Sequence, residues 1–537
     1  MLFKSKEDLG LVLSRLTALD RIPFKCIANS KDILQGLKAR GFSPPETANG
    51  IKRAVFKFAN AIREKLKTEI QSYIQSGGCY SASLDEYTSL KNQRYMSINL
   101  HNGTTPISLG MVRVRGSLPA ETAVELFDER LAMFDLDRMR HIVGITTDGA
   151  AVMQKMGRLS KVKQQLCLSH GTHLAVCDLV YKQPSIDELP ESESEDESSD
   201  VEENDRSISR NPSFVEDFQP LIQKIRKLVA MFRRSPVKND SLQKHVKTAH
   251  SKELHLIADC KTRWNSLLHM LKRFLLLKNE LQKALLDHGQ LEEFLTNDEV
   301  ERLKDLVDVL ETMEIGSVNI STNDSSLLDA DQVMEFTLEK LQDNQSSIGR
   351  KMHELLLKRF EERRNPLLSG ILHQLSQSSD SSLDYPMRND LIKKMKDLYV
   401  RLFSSSESMG AEEPQPSTST SEEQEQPSKK SKVEELKAFL EKKKASAKEK
   451  NSVGNLSSSS AILLEIRREM TIFETTGQRP PCLDKIFKAV STPPPTSVEA
   501  ERAFSAAGLF VTKMRSSLSD NSIDTLCFLR HHLLKLN

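Results

Sequence analysis

Apolar residues at Leu9, Leu11, Leu13, Leu16 and Leu19 form a stripe that stops at the Ile22-Pro23-Phe24 turn. A second helical periodicity runs from about Asn49 to Ile74 and is broken by Gly77-Gly78. The period then falls to two. Tyr80, Ala82 and Leu84 alternate with Ser81, Ser83 and Asp85. Two more strands are predicted over Arg94 to Leu100 and Ile107 to Val114, joined through Asn102-Gly103, which makes a meander of three. A helix over Ala120 to Phe134 leads to a short apolar strand, His141 to Thr147, that ends at Asp148-Gly149. Residues 150–158 read as helix, Gln164 to Leu168 as strand and His173 to Tyr181 as helix.

Three strands, then helix and strand in alternation, is the order of an α/β layer design of the ribonuclease H-like kind. The pattern after Tyr181 differs. Residues 183–214 are acidic and Ser-rich and read as a disordered linker, with a possible phosphorylation tract at Ser192 to Ser199. A basic helical part of the core is expected over 215–263, after an N-terminal helical region, 2–76, and a first part of the core, 77–182. Helical periodicity without a convincing strand continues from Trp264 to about Arg401. The large all-α insertion is therefore placed at 264–480, with a flexible 404–458 that holds one short helix at Val433 to Lys444. Residues 481–537 are expected to complete the core.

Composition narrows the class. A chain of 537 residues is long enough for three or four domains. Its net charge of +1 hides segregation: Asp187 to Asp205 is almost purely acidic, and Lys224 to Lys247 and Lys429 to Lys450 are rich in lysine. Seven cysteines without a C-x-x-C pair point away from a disulfide framework and toward a reducing compartment. No apolar run approaches a membrane span, and the N-terminus lacks a signal-peptide core, so a soluble intracellular protein without a membrane partner is expected.

Three acids carry the candidate chemistry. Asp85 falls on the first predicted strand and Asp148 just past the fourth, which are neighbours in a sheet of this kind. Far downstream, Pro493-Pro494-Pro495-Thr496-Ser497 stops one element and starts an amphipathic helix with Glu501 on the face of Val498 and Phe504. Carboxylates converging from such positions bind two divalent ions, Mg²⁺ or Mn²⁺, for phosphoryl transfer. Glu499 competes with Glu501, but it lies three residues before Arg502, a spacing that suits a surface ion pair. For each aspartate alone, a turn or helix-cap role is the commoner one.

Together these residues resemble the hAT (hobo/Activator/Tam3) superfamily of DNA transposases and their domesticated relatives, including zinc-finger-BED-like ones. The resemblance runs from about Leu9 to Leu533. It rests on Leu19-Asp20-Arg21-Ile22-Pro23-Phe24, Leu84-Asp85-Glu86-Tyr87-Thr88-Ser89, Thr146-Thr147-Asp148-Gly149-Ala150-Ala151, Cys167-Leu168-Ser169-His170, Thr262-Arg263-Trp264-Asn265-Ser266 and Ser497 to Ser505 with Ala507-Gly508. It implies a ribonuclease H-like core interrupted by an all-helical insertion. It also implies an Asp-Asp-Glu triad at Asp85, Asp148 and Glu501, and a C-terminal region used for dimerisation. It depicts an enzyme that cuts DNA at transposon ends and joins strands. Two departures stand out: no Cys/His cluster precedes Leu9, where relatives usually carry a BED-type zinc finger, and Tyr87 stands where many have tryptophan.

The resemblance places His170 near the active site as a DNA-positioning group. Cys167, His170, His173 and Cys177 do not have zinc-finger spacing, and a buried polar role is the plainer account. Trp264, the single tryptophan, follows Arg263 and would stack on an extruded base if exposed; a core or interdomain tryptophan is the alternative. Lys224, Arg226, Lys227, Arg233, Arg234, Lys238, Lys244 and Lys247 read either as a DNA-backbone track or as a solvated helix face. Pro427 to Lys432 resembles a nuclear-import signal. The expectation is a nuclear, DNA-binding, homodimeric or higher homo-oligomeric protein with a catalytic triad. The alternatives are a domesticated relative that binds DNA and dimerises without cutting, or a cellular ribonuclease H-like nuclease.

Overall fold

The computed structural model describes residues 8–89, 92–181, 218–260, 264–376, 381–404, 458–510 and 518–535. The expected acidic linker, the helix at Val433 to Lys444, the import-like run and Arg263 fall outside these residues. The chain divides into two compact units, 1–386 with 487–537, and 387–486.

The first unit opens with α1 (Leu9–Ser14), capped by Asp8, whose carboxylate accepts the Gly10 amide at 3.0 Å. A π-helical turn (Arg15–Leu19) follows, and Thr17 Oγ1 donates back to the Leu13 carbonyl at 2.8 Å. Next come α2 (Phe24–Asn29), α3 (Lys31–Ala39) and the long α4 (Ala48–Gln75), started by Thr47 as its cap. Ile51, Val55, Ala59, Leu66 and Ile70 give α4 one buried face.

The sheet consists of β1 (Tyr80–Thr88), β2 (Arg94–His101), β3 (Ile107–Val114), β4 (Ile142–Thr147) and β5 (Lys163–Leu166), in the order β3-β2-β1-β4-β5. The first three form the antiparallel meander; β4 runs parallel to β1, and β5 parallel to β4. Between them lie α5 (Ala120–Ala132), α6 (Arg138–His141) and α7 (Ala151–Ser160). Phe127 and Leu131 of α5 and Met153 and Met156 of α7 are buried in the same core as Ala82, Leu84 and Ile145 of the strands.

A helix, α8 (Leu168–Val180), leaves β5 at once. The expected start near His173 is corrected by five residues, because the Cys167 amide donates to the Thr147 carbonyl at 2.7 Å and ends the strand there. Among the described residues, helices follow without a strand: α9 (Gln219–Arg234), α10 (Pro236–His250), α11 (Trp264–Leu276), α12 (Lys278–Asp287), α13 (Asn297–Ile320), α14 (Leu327–Asp343), α15 (Ser347–Arg363) and α16 (Pro366–Ser376). Helices from α8 to α15 enclose a second hydrophobic core around Phe232, Phe274, Met313 and Phe360.

The second unit packs α17 (Arg388–Phe403) on α18 (Ser458–Thr476) and holds the start of α19 (Pro481–Val490). Glu469, buried at 5 % exposure, caps that last helix by accepting the Cys482 and Leu483 amides. The chain then returns to the first unit. It adds α20 (Val498–Phe510), which packs on β1 and β2, and α21 (Asp520–Leu534), which packs on β3. Among the described residues no helix is long and apolar enough to cross a membrane.

Candidate active site at the carboxylate edge

Asp85 lies on β1, and Asp148 directly follows β4, the strand that pairs with β1. Ser83 of β1 stands opposite Thr146 of β4 in the parallel pair. Two residues further along come Asp85, still on β1, and Asp148, one residue past the end of β4. Both side chains are partly buried. Asp85 Oδ1 accepts the Glu86 amide at 2.8 Å, and Asp148 Oδ1 accepts the Ala150 amide at 3.3 Å. Asp148 thus fills the turn role as well.

The segment before α20 climbs β4 toward Asp148. Pro493 lies over Gly144, and Thr146 Oγ1 donates to the Pro494 carbonyl at 2.7 Å. The Leu168 amide donates to the Pro495 carbonyl at 3.0 Å, and the Ser497 amide to Cys167 Sγ at 3.3 Å. The first turn of α20 therefore begins at the edge that carries Asp148. One turn on, Phe504 stacks on Tyr87 with ring centroids 5.2 Å apart, and Tyr87 shares the β1 face of Asp85. Gly508 leaves room for the Tyr87 hydroxyl.

Glu501 lies between these two anchors on α20 and is exposed. Burial pushes the Cys167 thiol up, hydrogen bonds with Ser497 and His170 pull it back, and the Glu501 carboxylate adds a smaller upward push. Glu499 pairs with Arg502, as its spacing predicts. Among the described residues, no three His, Cys, Asp or Glu side chains form a group able to hold an ion, so the expected convergence of Asp85, Asp148 and Glu501 does not appear as such a group. The reason is local. The helix that carries Glu501 is fixed by Phe504 on Tyr87, and residue 501 comes out on its exposed side.

His170 sits in the first turn of α8, three residues beyond Cys167. Burial, then the nearby Arg363 guanidinium, push its pKa down to about 3, so its imidazole is neutral. His173 Nε2 lies 3.5 Å from Cys177 Sγ, a local polar contact without a metal cluster among the described residues.

Trp264 departs from the exposed, base-stacking position. It is 5 % exposed and belongs to the helical core, packed with residues such as Leu267 and Leu268. The basic stretch is also partly spent on neighbours. Lys224 pairs with Glu299 at 2.7 Å, Arg226 with Asp259 at 3.0 Å and Lys247 with Glu253 at 2.7 Å. Lys227, Arg233, Arg234 and Lys244 remain exposed. Sequence reasoning missed Arg363, whose guanidinium abuts Gly149; the two glycines after Asp148 and His170 were the available signal.

Comparison with known families gives two matches. Residues 213–309 match the ZBED1 RNase-like helical domain, and residues 470–533 match the hAT family C-terminal dimerisation region. No curated protein matches the chain. The two matches, in this order along one chain, belong to a hAT-derived protein with a dimerisation region. Both matches support a hAT-family, ZBED-like protein.

Proposed function

We propose that this is a nuclear, DNA-binding, dimeric protein whose ribonuclease H-like sheet, interrupted by the helical segments, carries a metal-dependent DNA-cleaving and strand-joining site. The pairing of β1, which carries Asp85, with β4, which ends just before Asp148, together with α20 starting at that edge, is the observation that supports the reading. Carboxylate oxygens are hard donors, the kind that Mg²⁺ and Mn²⁺ prefer. Asp85 and Asp148 would hold the ions, with Glu501 as the third ligand. Two such ions, when bound, activate the attacking oxygen and stabilise the leaving oxygen of a phosphodiester. The chain's own contribution would be placement: β1 and the end of β4 would position the two aspartates, and the Tyr87–Phe504 stack would hold the helix that carries Glu501. His170, held neutral, offers a ring nitrogen to DNA without adding charge.

A second reading keeps DNA binding and dimerisation and drops cleavage. The exposure of Glu501 and the burial of Trp264 favour it. Purified full-length protein, Mn²⁺ and supercoiled plasmid separate the two, with Asp148→Ala as the control. Cleavage by the parent protein and none by the variant supports the enzyme. Equal blanks from both, with DNA still bound, support the second reading.

A further inference from the structure

The end of α15 is pinned to the sheet from both sides of one residue. Gln165 Nε2 donates to the Arg363 carbonyl at 3.0 Å, and Asn365 Nδ2 donates to the Gln164 carbonyl at 2.8 Å. The intervening Arg364 pairs with Asp331 at 2.8 Å, both nearly buried. Arg363 itself is 7 % exposed. A Cβ built on Gly149 would lie 2.5 Å from one terminal nitrogen of Arg363 and 2.9 Å from its guanidinium carbon. A Cβ built on Gly171 would lie 2.8 Å from the Arg363 Cδ. Neither glycine has a positive φ, so both are needed for room rather than for backbone freedom. Each directly follows a candidate site residue, Asp148 or His170.

We propose that Arg363 is a positioning residue of the carboxylate edge, a cation delivered by the helical segment that holds the Asp148 turn against the His170 turn. The proposal rests on the metal-dependent reading above. A guanidinium is costly to bury unless nearby groups gain from it. Here it abuts Gly149, the residue after Asp148, where a fixed positive charge would offset the negative charge of the candidate carboxylates. The same cation is the leading charge that keeps His170 neutral, after burial and ahead of His173 and Arg359. Because the guanidinium fills the space over Gly149, movement at residue 363 is transmitted to the backbone beside Asp148.

The test compares the full-length parent with Arg363→Gln, Arg363→Lys and Gly149→Ala. Mn²⁺-dependent nicking of supercoiled plasmid is followed for kcat and KM separately. Misplacement of a catalytic group by about 1 Å costs on the order of 100-fold in rate. Arg363→Gln should therefore lower kcat about 100-fold and leave KM within about twofold; Arg363→Lys should recover part of the loss, and Gly149→Ala should reproduce it. A parent-like kcat in Arg363→Gln, or no recovery by Arg363→Lys, overturns the proposal. Hydrogen exchange of peptides spanning 148–151 and 169–172 supplies a readout without catalysis. Exchange at least about tenfold faster in Arg363→Gln, with the melting temperature kept, is expected, since local opening is set by local contacts. Unchanged exchange overturns the inference even if the protein nicks DNA. Faster exchange in a protein that never nicks overturns the functional reading and leaves the positioning role standing.

Discussion

Asp524 of α21 carries two guanidiniums and one backbone amide, and its replacement by alanine should cost the fold about 3–5 kcal/mol. Its Oδ1 accepts the Met111 amide at 2.7 Å and Arg130 Nη1 at 3.2 Å; its Oδ2 accepts Arg63 Nη2 at 3.3 Å. The three side chains are 13 %, 9 % and 13 % exposed for Asp524, Arg130 and Arg63. Burial pushes the Arg63 guanidinium below its ordinary pKa; Asp524 pulls it back up and Arg130 pushes it down again. Without the carboxylate, two cations face each other. At roughly 5 Å and an effective dielectric of about 20 they repel by about 3 kcal/mol. The orphaned Met111 amide adds about 1–3 kcal/mol, and swinging Arg63 toward solvent recovers part of the sum. Asp524→Asn keeps an acceptor for that amide and should lose less, about 2–3 kcal/mol. Urea unfolding followed by circular dichroism reads both. An Asp524→Ala protein within about 1 kcal/mol of the parent would refute the claim that this cluster fastens the C-terminal helix to the sheet.

Gly110, at φ +100°, lies under the same carboxylate, and a Cβ there would stand 2.1 Å from Asp524 Oδ1; Gly110→Ala should cost at least about 2 kcal/mol by the same unfolding assay. Acid should loosen the same region. Burial pushes His101 down to about 3, His531 to about 3 and His532 to about 4, with Lys535 adding to each. An unfolded imidazole titrates near 6.5. Between about pH 6.5 and 4 the unfolded chain therefore binds protons that the native chain refuses. Stability is whole above about pH 6.5 and falls below it, by up to about 1.4 kcal/mol per pH unit for each histidine, and His101→Gln should flatten that slope. The buried Trp264 should emit at short wavelength and resist iodide quenching, with no change when DNA is added; a quenchable, DNA-sensitive emission would return it to the base-stacking position.

How far the site was legible depended on the range of the interactions that build it. Alternation along Tyr80 to Asp85 marks β1, and the apolar run before Asp148 marks β4, so two of the acids could be placed on neighbouring strands from local pattern. The Glu499–Arg502 pair follows from helix spacing. The start of α8 was less accessible, because the Thr147 carbonyl, the Pro495 carbonyl and the Ser497 amide fix it from two other parts of the chain. The basic stretch looked continuous because the acids that spend it, Glu299 and Asp259, lie well downstream. Trp264 beside cations reads alike as core or surface in a linear sequence; only the helical packing decides it. Arg363 offers no motif at all, and its place is visible only once α15 is laid against β5.

The most direct measurement is anomalous diffraction at the manganese edge from crystals of the full-length protein grown with Mn²⁺. The account predicts density for manganese between Asp85 and Asp148, with Glu501 turned toward it. Saturating Mn²⁺ with no peak between those two strands would contradict it.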